Sequence, residues 1–182
     1  MKAIAVEVEG PLVLEPRVFE DARGAFFESY HAARFAETIG REVAFVQDNH
    51  SHSRRDVLRG LHFQTGREQA KLVRVVSGAI WDVAVDLRRN SRTFGRHSAV
   101  VLSAENRRQL WIPEGFAHGF LVVSDSADVL YKTTDYWAPE CEFCLTWNDP
   151  DLAIPWPLGE REPILSEKDR RGRPFREIPT FG

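Results

Sequence analysis

Cysteine is scarce in this chain. Its 182 residues hold only Cys141 and Cys144, a lone Cys-x-x-Cys with no second pair and no histidine nearby. Such a pair reads as coincidence rather than as a zinc or redox site. Long apolar runs are also missing: none approaches the roughly 18 residues that a membrane span needs, and the amino terminus lacks the basic-then-apolar pattern of a signal peptide. A soluble, cytoplasmic protein without a membrane partner is expected. Charge of one sign does not dominate either. The formal net charge of -3 gives no general attraction to nucleic acid. One basic run, Lys168-Asp-Arg-Arg-Gly-Arg-Pro-Phe-Arg176, reads as a solvated stretch with one or two phosphate contacts. Internal repeats, low-complexity segments and long linkers are absent, so residues 1–182 are expected to form one domain around a single core.

What the chain does have is short strands broken by turn signals. Strands are expected at 70–76, 80–87, 98–102, 109–112, 119–123, 127–133 and 142–147, with turns at Arg88-Arg-Asn-Ser, Ser124-Asp-Ser and Asn148-Asp-Pro. Within 80–87, Trp81, Val83, Val85 and Leu87 share one face, while Asp82, Ala84 and Asp86 share the other. The aspartate face meets either solvent or the polar lumen of a barrel. The one convincing helix runs from His31 to Ile39, with Gly40 as its stop. A mainly β fold follows, a jelly-roll barrel or sandwich with a few short helices. From Pro155 to Gly182 the Pro-rich, charged segment is expected to pack irregularly over the barrel. Within it, Ser166-Glu-Lys168-Asp169 fits a capping box.

Two stretches suit a buried reaction site: Arg59-Gly-Leu-His62-Phe-Gln64, followed by Lys71 and Gly78, and Pro113-Glu-Gly-Phe-Ala-His118. Their spacing resembles the two halves of the cupin motif, in which histidines and a carboxylate hold a divalent metal. Gln64 stands where the second histidine of the pair belongs, so no metal is expected. His62 is the natural base near neutral pH. Its orienting carboxylate is Asp169, Asp82 or Asp86 as far as the residues alone decide. Lys71 shares a strand face with Val73 and Val75, either as a solvated cation or aimed at developing oxyanion charge. Tyr131, between Val129 and Thr133, is either a core member or a general acid. Arg23, Arg59 and Lys168 suit a diphosphate. Gln47-Asp48-Asn49 is too polar for an ordinary strand core.

Taken in order, the segments Phe19-Glu-Asp-Ala-Arg23-Gly, Val57-Leu-Arg59-Gly-Leu-His62, Asp82-Val-Ala-Val-Asp-Leu-Arg88, Ile112-Pro-Glu-Gly-Phe-Ala-His118-Gly-Phe, Tyr131-Lys, Trp147-Asn-Asp-Pro and Leu165-Ser-Glu-Lys168-Asp169 resemble the dTDP-4-dehydrorhamnose 3,5-epimerases. These are metal-free cupins acting on a nucleotide-linked 4-keto-6-deoxy sugar. The resemblance implies that His62 is the base with Asp169 as its partner, Tyr131 the proton donor, and Lys71 the neighbour of the keto oxygen with His118 in the same lumen. It further implies that Arg23, Glu28, Gln47, Asn49, Arg59, Glu142 and Lys168 hold the nucleotide or diphosphate, in part across a homodimer interface. No cofactor is implied. Trp137, Trp147 and Phe63 are expected to tune the base or the sugar fit. The expected activity is inversion at C3 and C5 of a dTDP-4-keto-6-deoxyhexose, with inversion at one carbon only, a metal-dependent cupin, or a non-catalytic sugar-nucleotide binder as alternatives.

Overall fold

The structure is a computed structural model that describes residues 1–182. In chain order its strands are β1 (Lys2–Ala5), β2 (Leu12–Glu15), β3 (Val18–Asp21), β4 (Gly24–Phe27), β5 (Gln47–Arg54), β6 (Leu58–Gln64), β7 (Lys71–Ser77), β8 (Ala79–Asp86), β9 (His97–Ser103), β10 (Gln109–Ile112), β11 (Phe116–Val122), β12 (Ser126–Thr133) and β13 (Glu142–Cys144). Helices α1 (Ala32–Ile39) and α2 (Glu167–Arg170) complete the regular structure apart from two 3₁₀ turns. The expected strands are all present, although β11 begins at Phe116 rather than Gly119 and β13 stops at Cys144 rather than Trp147. Strand β5 lay outside the alternation pattern because Gln-Asp-Asn-His-Ser-His-Ser-Arg contains no apolar residue. No helix is long and apolar enough to cross a membrane.

Two sheets face each other as a cupin-like jelly roll. One has the order β1-β2-β10-β7-β12-β5 and the other β13-β6-β11-β8-β9, while β3 and β4 pair only with one another. Between the sheets lies an apolar core that includes Val73, Val75, Ile80, Leu110, Phe116, Phe120, Val122 and Val129. Outside the larger sheet, α1 lays its fully buried Phe35 over Leu14, Leu72 and Trp111. That helix is capped at both ends: His31 Nδ1 accepts from the Arg34 N–H, and Gly40 at φ +76° returns its N–H to the Ala36 carbonyl. Outside the smaller sheet, Leu61, Val83, Val85 and Leu145 are covered by Leu152, Ile154 and Ile178 of the carboxy-terminal segment. Strand β8 is therefore buried on both faces. Its aspartate face meets the interior, with Asp82 and Asp86 both fully buried.

One irregularity shapes the interior. On β11, His118 opposes His62 and Phe120 opposes Arg59, so β6 carries one more residue than its partner over this stretch. This is a bulge, and it breaks the two-residue alternation that would send Arg59 and His62 to opposite faces. Both side chains consequently reach the cavity between the sheets. Glycine is required there: a Cβ on Gly60, whose φ is +113°, would lie 2.6 Å from the Gly119 Cα, and one on Gly119 would lie 2.7 Å from the Arg59 carbonyl oxygen.

Candidate active site

A cavity of about 400 Å³ opens between the sheets at the end where β5, β6, β7, β11 and β12 converge with β13 and α2. Its wall brings together His62, Lys71, His118, Tyr131, Gln47, Asn49, Arg59, Glu142, Lys168 and Asp169. Of the expected site residues, Arg23 and Glu28 are the ones this chain does not bring to its own cavity. Arg23 sits in the exposed turn between β3 and β4, where it pairs with Asp21, and Glu28 pairs with Arg34.

The two histidines of the cavity each have their own carboxylate. His62 Nε2 donates to Asp169 Oδ1 at 2.6 Å, so of the three aspartates left open by the residues alone, Asp169 is the one that meets it. Asp169 is 4% exposed, and burial alone would raise its pKa. The bonds from His62, Ser166 and the Gly60 backbone outweigh burial and hold the carboxyl below its ordinary range. Ser166 does two things: its Oγ accepts from the Asp169 N–H at 3.1 Å, and its hydroxyl donates to Asp169 Oδ2 at 2.7 Å. Ser166 is the cap, and Asp169 reaches back to its hydroxyl while it pairs with the histidine, so the capping contact and the histidine contact are not alternatives. His62 Nδ1 makes no hydrogen bond to protein, and His62 lines the cavity.

His118 Nε2 donates to both oxygens of Asp82 at 3.0 Å. Burial raises the Asp82 pKa, opposed by His118 and by the charge of Lys71. Lys71 is not a solvated cation: it is 6% exposed, and burial brings its pKa down to about 8 against the pull of Glu142 and Asp82. No protein group lies within ion-pair or hydrogen-bond reach of its ammonium. Asp86 has no part in this cavity. It accepts from Arg88, Ser91 and Thr93 and pins the turn after β8.

Tyr131 stands on β12, on the wall opposite His62, and burial raises its phenol pKa, so the hydroxyl keeps its proton at neutral pH. Around the mouth, Glu142 accepts from Lys168 Nζ at 2.5 Å and from Trp137 Nε1 at 3.0 Å. Arg59 is steered by Ser53 Oγ at 2.9 Å, and Gln47 donates to Asn49 Oδ1 at 2.9 Å. Trp137 and Phe63 line the cavity as expected, but Trp147 does not: it packs beside Leu58, Leu121 and Leu158 beneath the carboxy-terminal segment.

Among the cavity residues that were not anticipated, two stand out. Gln69 donates to the Asp135 carbonyl at 2.8 Å and had no pattern to mark it. Ser51 did: it continues the alternate face of Gln47 and Asn49. Its Oγ is buried and, like the Lys71 ammonium, has no partner within the protein.

The cupin metal set is not assembled. Gln64 spends its amide on backbone, donating to the Arg67 and Tyr136 carbonyls and accepting from the Ala138 N–H. What the fold and cavity define is an enzyme site with an imidazole held by a carboxylate on one wall, a protonated phenol on the other, and a buried lysine.

The comparisons with known proteins agree. The family model for dTDP-4-dehydrorhamnose 3,5-epimerase matches residues 5–177. The Pseudomonas aeruginosa enzyme of that name is 58% identical, over 100% of this chain and 99% of its own, and the Salmonella typhimurium enzyme is 55% identical over 93% and 92%. Among solved structures, the Legionella pneumophila epimerase in complex with dTDP-4-keto-L-rhamnose superposes with a TM-score of 0.94 at 49% identity, over 98% of this chain and 94% of that one. ChmJ, a 3'-monoepimerase from Streptomyces bikiniensis, gives 0.87 at 34%, over 93% and 85%. The chain belongs to the dTDP-4-dehydrorhamnose 3,5-epimerase family, and its chemistry is that of an isomerase.

Proposed function

We propose that this epimerase inverts C3 and C5 of a dTDP-4-keto-6-deoxyglucose-type sugar, giving dTDP-4-dehydro-L-rhamnose, with His62 as base and Tyr131 as acid. The 4-keto group acidifies the hydrogens at both carbons. His62 Nδ1 takes a proton from one of them, and the released electron pair forms the enolate, whose oxygen is stabilised by the Lys71 ammonium. Tyr131 then returns a proton to the opposite face of the carbon, and solvent exchange resets both groups. Asp169 is a positioning residue that fixes the His62 tautomer and favours the imidazolium. The chemistry calls for no cofactor, since the substrate's own carbonyl supplies the electron sink. The observation that carries this reading is the placement of His62 and Tyr131 on facing sheets across one cavity.

Gln47, Asn49, Arg59, His118, Glu142 and Lys168 hold the sugar nucleotide. Arg23 and Glu28 do so in a partner's cavity, within a cytoplasmic homodimer. Support comes from the β3–β4 hairpin, which pairs with neither main sheet and exposes Phe19 by 51% and Phe26 by 72%. The chain works as one domain, because 155–182 supplies Lys168 and Asp169 to a cavity built by the barrel.

Proton NMR in heavy water with dTDP-4-keto-6-deoxyglucose tests the reading. Deuterium entering at both C3 and C5 is the expected result. Entry at one carbon would make the protein a single-site epimerase, and entry at neither would overturn the proposal.

A further inference from the structure

Cys144 is the Cα partner of His62 across the β13–β6 strand pair, so the fold sets a thiol beside the histidine–carboxylate pair. Its Sγ lies 3.8 Å from Asp169 Oδ1. One ligand atom from each of His62, Cys144 and Asp169 lies within 4.8 Å of the other two. This set shares neither Gln64 nor His118 with the cupin metal motif, and it does not use the Cys-x-x-Cys pairing with Cys141.

We propose that His62, Asp169 and Cys144 form an inhibitory site for a thiophilic divalent cation, Zn²⁺ or Cd²⁺. The inhibitory half of this statement rests on the reading of His62 and Asp169 as catalytic partners. Zinc holds sulfur at about 2.3 Å and imidazole or carboxylate donors at about 2.0 to 2.2 Å, which in a tetrahedron places donors about 3.4 to 3.6 Å apart. The sulfur–carboxylate distance is already within a few tenths of an ångström of that value. The His62–Asp169 contact, now 2.6 Å, has to open by somewhat less than an ångström. His62 is free to make that move because it is 29% exposed on the cavity wall, whereas Asp169 is held by Ser166. Cys144 is a thiol in the free protein, its pKa raised to about 12 by burial and by the charge of Asp169, so binding replaces its proton with the cation and releases that proton to solvent. The resulting set of one thiolate, one imidazole and one carboxylate suits a borderline-soft ion better than Mg²⁺ or Ca²⁺. Once bound, the cation takes the imidazole nitrogen and carboxylate oxygen that hold each other in the free protein. The His62–Asp169 hydrogen bond is lost, and His62 can no longer be oriented as a base.

The test is titration of the purified full chain with Cd²⁺ alone, following the ultraviolet sulfur-to-cadmium charge-transfer band, in wild type, Cys144→Ser, Cys144→Ala and Cys141→Ser. The expected result is one Cd²⁺ per chain with the band present in wild type and Cys141→Ser and lost from both Cys144 variants. Substrate deuterium uptake is then measured against Cd²⁺. Cys144 does not line the cavity, so its variants should turn over normally without the ion and need at least about tenfold more of it for half-inhibition. A missing band, or one that survives without Cys144, overturns the site. A Cys144-dependent band with equal inhibition of wild type and Cys144→Ser overturns the inhibitory role. Failure of the catalytic reading itself shows separately, as no deuterium uptake in wild type before any metal is added.

Discussion

The imidazole of His62 and the carboxylate of Asp169 meet at 2.6 Å across 107 positions of sequence. The histidine comes from a central strand of the barrel, and the carboxylate from a single helical turn in the segment that closes over it. Ser166 holds that carboxylate by its backbone N–H and by one oxygen, leaving the other oxygen to His62. Fixing a carboxylate in this way converts an ordinary histidine into one with a defined tautomer.

Replacing Asp169 with Asn keeps the shape of the turn and removes the charge. Turnover should fall about 10²-fold or more, in the range usual for acid–base groups, while dTDP affinity measured calorimetrically stays near wild type. Near-normal turnover would leave Asp169 with its capping duty alone.

Tyr131→Phe separates proton removal from proton return. The variant should still wash substrate hydrogen into heavy water, because His62 is untouched, yet inversion should slow by about 10²-fold or more. Loss of exchange together with inversion would assign Tyr131 a different duty.

Lys71 links activity to alkaline pH. Its pKa is brought down to about 8 by burial, so the ammonium is present below that value and lost above it. The rate constant kcat/KM should therefore fall as pH rises past about 8, and a flat profile there would contradict the role of the cation. The same shift makes Lys71 a cost to the fold. The unfolded chain keeps its proton up to the ordinary lysine range, so near neutral pH the buried charge destabilises by the order of 3 kcal/mol. Lys71→Met should lose activity and melt at a higher temperature, a divergence that a merely structural lysine would not produce.

Asp86 should behave in the opposite way. It is fully buried, and although burial raises its pKa, the bonds from Arg88, Ser91 and Thr93 hold it below the ordinary carboxylate value. Its contribution is present above the unfolded pKa and disappears as pH falls through the folded one. Asp86→Ala should lower stability by about 3 kcal/mol in urea titrations at neutral pH, with turnover of the folded fraction unchanged. A turnover loss as large as that of Asp169→Asn would move Asp86 into the chemistry.

Alternation of apolar residues was enough to locate most strands, including β8, whose two faces were separated correctly even though their surroundings were not decided. It failed for β5, where polar residues occupy both faces because one lines the cavity and the other is exposed. The bulge at Gly60 was also invisible. In sequence, Arg59 and His62 stand three apart and on opposite faces of a regular strand; only the pairing with His118 and Phe120 brings them to one side. For Asp169 the local pattern and the long-range one were both right, and the residues alone gave no means of seeing that one side chain satisfies both. Cys144 was read only with Cys141, as a coincidental pair, because its strand partner is a histidine 82 positions earlier that local spacing does not reveal.

The position of Asp169 after every strand of the barrel has a consequence for biosynthesis. During synthesis every strand of both sheets, His62 included, is made before the carboxylate that meets it. On the mechanism proposed above, a product that stops short of Asp169 carries the base without the group that orients it, and loses Lys168 from the same cavity.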